Sequence, residues 1–321
     1  MSTVQHLRQT DPLRLGVRLP LKGTYYPGGF CVEIMTNSED VLESAAEAWG
    51  RCVREFACEP LRFRVMVLPE GELARVPSHR MQGHMYAVVS DAHNFAHVDL
   101  ASQLGCIWVS ERTAADHPLF RWFFLESAAY VMLSQRYVVA VHAACVVRNG
   151  KGFLLSGPSC AGKSSLSYAC ARAGWIFVTD DATWLLPNVE KPMALGQPGR
   201  VRFRLDAPDL FPELAAYAVR ARPNGKISIE VPICELPNVR TAGQAPVSAV
   251  VFLERGSGRA GAHRLTGKDS VDRLMEDLPS YGDATDAMSE RTVRRLECVP
   301  AWRINYTTLE EGIQILENLV I

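Results

Sequence analysis

One short segment constrains this chain more than any other feature. Gly157-Pro158-Ser159-Cys160-Ala161-Gly162-Lys163-Ser164 matches the pattern G-x-x-x-x-G-K-[ST] in full. A buried-strand pattern, Gly152–Ser156, runs into it. A helical stretch from Ser164 to Ala173 follows and stops at Gly174, as helices often do. Strand, glycine loop and helix in that order predict an α/β domain. In such a loop the glycines permit the backbone angles that wrap N–H groups round a phosphate, and the helix N-terminus adds partial positive charge. Lys163 is placed to bridge the β and γ phosphates and the Ser164 hydroxyl to ligate Mg²⁺. The expected nucleotide cradle is therefore Gly157 to Ser164, with Ser165 next to it. The motif leaves the reaction open, because ATPases, GTPases, small-molecule kinases and some protein kinases share it.

The rest of the chain divides by pattern into two regions, expected at residues 1–115 and 116–321. The first alternates short strand-like runs, such as Phe63–Leu68 and Met85–Val89, with loops, and holds one helical stretch near Asp40–Phe56. An amphipathic helix is predicted from His117 to Arg136. The second region opens with the β-branched run Tyr137–Val147, followed by Arg148-Asn149-Gly150-Lys151, a hairpin signal. Further strands are predicted at Trp175–Thr179, Ile227–Val231 and Val247–Leu253, and a closing helix at Leu309–Leu319. The fold class expected is thus a P-loop α/β domain preceded by a smaller α/β domain.

Composition narrows the partners. A hydrophobic share of 48% with 21% charged residues supports a real core, and a net charge of −1 provides no global field for nucleic acid or an anionic membrane. No apolar run reaches membrane-spanning length, and the first ten residues carry no leader-like apolar core. Nine cysteines without a C-x-x-C pair fit buried free thiols in a reducing compartment, so a cytoplasmic protein is expected. Cys160 differs in lying inside the phosphate loop, where a thiol could make binding sensitive to oxidation, although a tolerated small residue is the plainer reading.

Phosphoryl chemistry also needs a carboxylate near the metal and a group that orients or deprotonates the nucleophile. Asp180 and Asp181 end the strand after the phosphate loop, at the edge that faces the ligand crevice of an α/β sheet. Adjacent residues on a strand point to opposite sides. One carboxylate can serve Mg²⁺ while the other meets the acceptor hydroxyl. His142 interrupts the apolar run Ala-Val-His-Ala-Ala and reads either as a satisfied core residue or as part of the site.

The combined spacing His142, then Gly157–Ser164, then Asp180-Asp181 resembles the catalytic domain of the HPr kinase/phosphorylase family. The similarity spans about residues 138–260. It implies a P-loop fold akin to that of phosphoenolpyruvate carboxykinase, and ATP- and Mg²⁺-dependent phosphorylation of a serine on a protein or peptide. Carried over by position, His142 is the active-site histidine, Lys163 the phosphate-binding lysine, Asp181 the base for the serine proton and Asp180 the neighbour of Mg²⁺. The segment Val239-Arg240-Thr-Ala-Gly243 resembles the one that bears the family's later catalytic arginine and nominates Arg240. Ser165 stands where the family usually has glutamate, and its glutamate-containing signature is not recognisable, with Asp206 the nearest substitute. The segment Glu254–Arg259 does not clearly match the loop linked with the phosphorylase reaction. The expectation is a divergent kinase, similar to those that phosphorylate precursor peptides in natural-product clusters, lasso peptides among them. A small-molecule hydroxyl kinase and a non-catalytic nucleotide-binding regulator are the alternatives. The N-terminal domain, 1–115, would then be an acceptor- or partner-binding module, while ATP against GTP, a remaining phosphorylase activity and a homo-oligomeric state stay open.

Arg200, Arg202 and Arg204 alternate, placing three guanidinium groups on one strand face that either binds phosphate or an acidic peptide, or is a solvated edge. Lys226, in Asn224-Gly-Lys226, is within reach of a phosphate by position alone. His93 with His97, and His79 with His84, lie in loop-rich sequence and are read as exposed polar residues rather than a metal site.

Overall fold

The computed structural model describes residues 16–196, 199–221, 225–256, 259–280 and 282–319. The first ten residues, Asn224 and the centre of the 254–259 loop lie outside them. The chain forms two compact units, Met1–Met132 and Leu133–Ile321.

In the N-terminal unit, apolar residues alternate along short strands and so turn one face of a sheet towards helices. The elements are β1 (Leu21–Tyr25), β2 (Val32–Thr36), α1 (Glu39–Trp49), β3 (Leu61–Leu68), β4 (Ser78–Gln82), β5 (Met85–Val89), β6 (Phe95–Asp99), β7 (Leu104–Ser110), α2 (Glu111–Ala115) and α3 (His117–Phe120). A π turn, Arg121–Leu125, then leads into α4 (Glu126–Ser134). The sheet order is β1-β2-β3-β7-β6-β5-β4, with parallel pairing only at β2·β3 and β3·β7. The helix expected to reach Phe56 ends at Trp49. Beyond Gly50 the amides of Glu55 and Phe56 bond back to the Gly29 carbonyl instead of continuing the helical ladder. The helix predicted from His117 is likewise broken by the π turn, which buries Phe123, Phe124 and Leu125 together. This helical run packs on α1. His117 Nδ1 lies 2.7 Å from Glu47, Arg121 donates to Glu47 at 2.6 Å, and Trp49 Nε1 reaches Tyr130 at 3.4 Å. These contacts tie the helical run to the rest of the first unit, Met1–Met132.

The second unit is built from β8 (Val139–Val141), β9 (Ala143–Arg148), β10 (Lys151–Ser156), α5 (Lys163–Arg172), β11 (Ile176–Thr179), β12 (Thr183–Leu185), β13 (Met193–Leu195), β14 (Arg200–Phe203), β15 (Val219–Ala221) and β16 (Ile227–Pro232). It continues with β17 (Arg240–Thr241), β18 (Gln244–Arg255), β19 (Gly261–Leu265), α6 (Gly267–Met275), α7 (Asp283–Arg294), β20 (Ala301–Tyr306) and α8 (Leu309–Asn318). The main sheet runs β17-β11-β9-β10-β18-β13-β12-β8, with β20 between β18 and β19, and β14-β16-β15 forms a separate small sheet. The β9–β10 hairpin turns at Asn149 and Gly150, both at positive φ (51° and 75°) as a type I′ turn demands. β10 is parallel to β18, and β18 to β20. One apolar cluster joins the sheet to Leu166, Tyr168 and Cys170 of α5 and to Leu309 and Leu316 of α8. A second joins it to Val271 and Leu274 of α6 and Val293 of α7. Helices therefore cover both faces of the sheet, and the loop after β10 emerges at its C-terminal edge. No helix among the described residues is long and apolar enough to cross a membrane.

The His117 contacts yield a pH test. Burial pulls its ring down, but hydrogen bonds and charges from Glu47 and Asp40 outweigh that, so its pKa lies above the ordinary 6.5. Its stabilising contribution is fully present below pH 6.5 and is lost as pH rises through the higher folded value. Urea midpoints should therefore show His117→Gln costing more at pH 6 than at pH 8.5. An equal cost at both would refute the charge pairing.

Candidate functional site

The glycine loop is held open by backbone conformations that few side chains tolerate. Gly162, the N-cap of α5, has φ +92°, and an added Cβ would lie 2.8 Å from the Tyr306 hydroxyl. That hydroxyl donates to the Ala161 carbonyl at 3.1 Å. Tyr306 is fully buried, and burial pushes its hydroxyl up to about 12. At the other end of the loop, Gly157 has φ +150°, and a Cβ there would press on the Leu253 carbonyl of β18 at 3.0 Å. Cys160 also adopts a positive φ, +72°.

Lys163 is buried at the first turn of α5, and its ammonium donates to the carbonyls of Gly157 (2.6 Å) and Pro158 (3.2 Å). Burial pulls its pKa below the usual lysine range, while the carboxylates of Asp181 and Asp277 act in the opposite direction. Ser164 and Ser165 follow, half-buried, on the same turn.

The carboxylate pair separates as adjacent strand-end residues should. Asp180 is buried beside the end of β11, and its Oδ2 accepts the Arg202 backbone N–H at 3.1 Å. Burial pushes its carboxyl up to about 6, the nearby Asp181 charge acting the same way. Asp181 is exposed and brings Oδ1 to 3.4 Å from Nδ1 of His142. His142 does not lie inside a strand. It occupies the break between β8 and β9, exposed between buried Val141 and Ala143, and its carbonyl faces the Ser156 hydroxyl at 3.5 Å. His142, Asp181, Lys163 and the loop thus converge at one edge of the sheet.

Arg240 does not join them. It pairs with Ile176 at the opening of β11, whereas Asp180 follows the other end of that strand, and its guanidinium donates to the Gly174 carbonyl. The resemblance of Val239–Gly243 to an arginine-bearing catalytic segment nominates it, but the parallel β11·β17 pairing sets it at the opposite edge. Arg204 stands where an arginine is useful. It lies just past β14, and its Nη1 reaches Cys160 Sγ within the loop at 2.5 Å. The triple-arginine face is accordingly split. Arg200 and Arg202 share Glu230 (3.6 and 3.5 Å), while Arg204 turns to the loop with Asp206 at 3.9 Å. Three residues went unread in the sequence: Tyr306, Asp277 and the specific role of Arg204. Only alternation pointed to Arg204, and no local signal marks the other two, because each comes from a distant segment.

The donor set fits Mg²⁺. Hydroxyl and carboxylate oxygens are the hard ligands that ion takes. In the N-terminal unit, ligand atoms of Asp40, Glu43 and His117 lie within 4.8 Å of one another. The His117 ring nitrogens face Glu47 and Asp40 in ion pairs that brace α1 against α3. The earlier histidine pairs do not lie on helices: His79 is on β4 against Tyr86, His97 on β6 beside Phe95, and His84 and His93 are in turns.

No protein-family model and no curated protein sequence matches this chain. Among solved structures, the Hpr(Ser) kinase/phosphatase from Coxiella burnetii is similar to it at 12% sequence identity and a TM-score of 0.34, over 56% of this chain and 88% of that one.

Asp180 carries a sign-specific prediction. Its folded pKa of about 6 exceeds the ordinary 3.8, so its contribution to stability is full below pH 3.8 and falls as pH rises through 6. Asn at this position keeps an acceptor for the Arg202 N–H without a charge to bury. Asp180→Asn should be more stable than the parent by up to ~3 kcal/mol at pH 8 and by roughly half that at pH 5. Urea midpoints at the two pH values measure this, and a destabilised variant at pH 8 would contradict it.

Proposed function

We propose that this protein is an ATP- and Mg²⁺-dependent kinase that transfers the γ-phosphoryl group to a serine hydroxyl of a protein or peptide. The observation that carries the reading is the convergence of the loop lysine, Lys163, with the Asp181–His142 pair, whose facing atoms are 3.4 Å apart. A nucleotide-binding loop alone is silent about chemistry. A solvent-facing carboxylate beside it, oriented by a histidine, is what an acceptor hydroxyl requires.

In this reading the loop amides from Gly157 to Ser164 cradle the phosphates, and Lys163 leaves its loop carbonyls for the β and γ phosphates. Mg²⁺, held by Ser164 and Asp180, would supply neutralisation of the phosphate charge. The serine oxygen attacks the γ-phosphorus, the bond from that phosphorus to the β–γ bridging oxygen breaks, and ADP departs. Asp181 takes the serine proton, with His142 holding the carboxylate towards the acceptor. Arg204, unlike Arg240, lies against the loop and would balance charge on the transferring group. Serine as the acceptor is what the resemblance of His142, the loop and the aspartate pair to the HPr kinase/phosphorylase family implies. The choice of ATP follows from the same resemblance.

Incubation with Mg²⁺ and γ-labelled ATP, together with host lysate or a serine-containing precursor peptide, tests the proposal. Label should appear on a polypeptide and be absent with Lys163→Ala. Asp181→Asn should keep nucleotide binding and lose about a hundredfold or more in turnover. Label on a metabolite alone would redirect the reading to a small-molecule kinase. Bound nucleotide with no transfer to any acceptor would point to a regulatory binding protein.

A further inference from the structure

The cradle just described contains a cation that the loop motif does not include. β18 runs parallel to β10, with Phe252 opposite Ser156, the last residue before the loop. β18 continues beyond that point to Arg255, so its final residues run alongside the loop rather than stopping with β10. Arg255 is held there by its backbone. It pairs with Tyr306 across β18·β20, and the next amide, Gly256 N, donates to the Tyr306 carbonyl at 3.2 Å.

The side chain lies over the start of α5. Its Cδ would be 3.6 Å from a Cβ placed on Gly162, and its charge acts on the Tyr306 hydroxyl that bonds Ala161. Among the described residues no carboxylate comes within ion-pair distance of it. Its neighbour Glu254 is engaged with Arg303 at 3.7 Å instead. An arginine at a strand end is ordinarily a solvated surface charge. This one differs in standing unpaired beside the first turn of the phosphate-loop helix, where an anion already gains from the helix dipole and the loop amides.

The geometry points to Arg255 as a nucleotide-positioning residue of the proposed site, one that grips the α/β-phosphate part of the chain rather than the transferred group. This rests on the kinase reading. The placement follows from Gly162: loop amides cradle the α and β phosphates, while the lysine reaches the β and γ. Arg255 therefore contributes equally to substrate and product nucleotide and adds binding without adding to the chemical step.

Calorimetric titration of the full chain with ATP and with ADP, in Mg²⁺, separates the possibilities. Arg255→Ala should weaken both nucleotides alike, by about tenfold to a hundredfold, the value of a hydrogen bond to a charged group. Arg255→Lys should recover part of the loss. The melting temperature should stay at the parent's value, because the side chain is exposed, and KM for nucleotide should rise while kcat holds. If the parent binds ADP and Arg255→Ala binds it as tightly, the inference falls while the kinase reading stands. A loss confined to ATP would also overturn it, by moving the contact to the γ phosphate. If the parent binds neither nucleotide, the kinase reading fails, and the inference with it.

Discussion

Three parallel strands, β10, β18 and β20, set the loop's shape before any side chain in the loop acts. Their register brings the Leu253 carbonyl against Gly157 and the Tyr306 hydroxyl against Gly162 and the Ala161 carbonyl. Two glycines and one non-glycine residue, Cys160, then take positive φ, and the amide groups turn inward as the chain enters α5. Tyr306 is the pin of this arrangement. Its ring is buried and its single hydroxyl satisfies a carbonyl that the loop conformation would otherwise strand.

Around that frame the charges are distributed by burial. Lys163 and Asp180 are buried, and for both groups burial disfavours the charged form, lowering the one and raising the other. Asp181 and His142 remain exposed, 3.4 Å apart at their facing atoms. The buried pair suits binding of phosphate and metal, which neutralise both charges. The exposed pair suits proton transfer with a partner that arrives from solvent. Arg204, just past β14, and Arg255, at the end of β18, both come close to the loop, and in the proposed reading they add cations that the motif itself does not contain.

The N-terminal unit rests on different interactions. A mixed, mainly antiparallel sheet buries its alternating apolar face under α1 and the broken helix that begins at His117, with Glu47 serving both His117 and Arg121. The π turn at Arg121–Leu125 turns three large apolar residues inward at once, which a regular helix would have spread round its face.

What the sequence by itself determined lies where physics is local. The loop needs a preceding strand and a following helix, and glycine at its two ends. The Asn149-Gly150 turn needs two positive φ angles. Adjacent aspartates at a strand end must diverge, and they do, one buried and one exposed. Each of these depends on residues within a few positions of one another, so the pattern is legible along the chain. Tertiary structure decided what depends on pairing between distant segments. Arg240 is nominated by the resemblance of its segment to an arginine-bearing one, yet the β11·β17 register carried it to the opposite edge. Arg204, Arg255, Asp277 and Tyr306 reached the site from strands and turns far along the chain. Strand order is set by which apolar faces pack together over the whole sheet, and no local spacing encodes it.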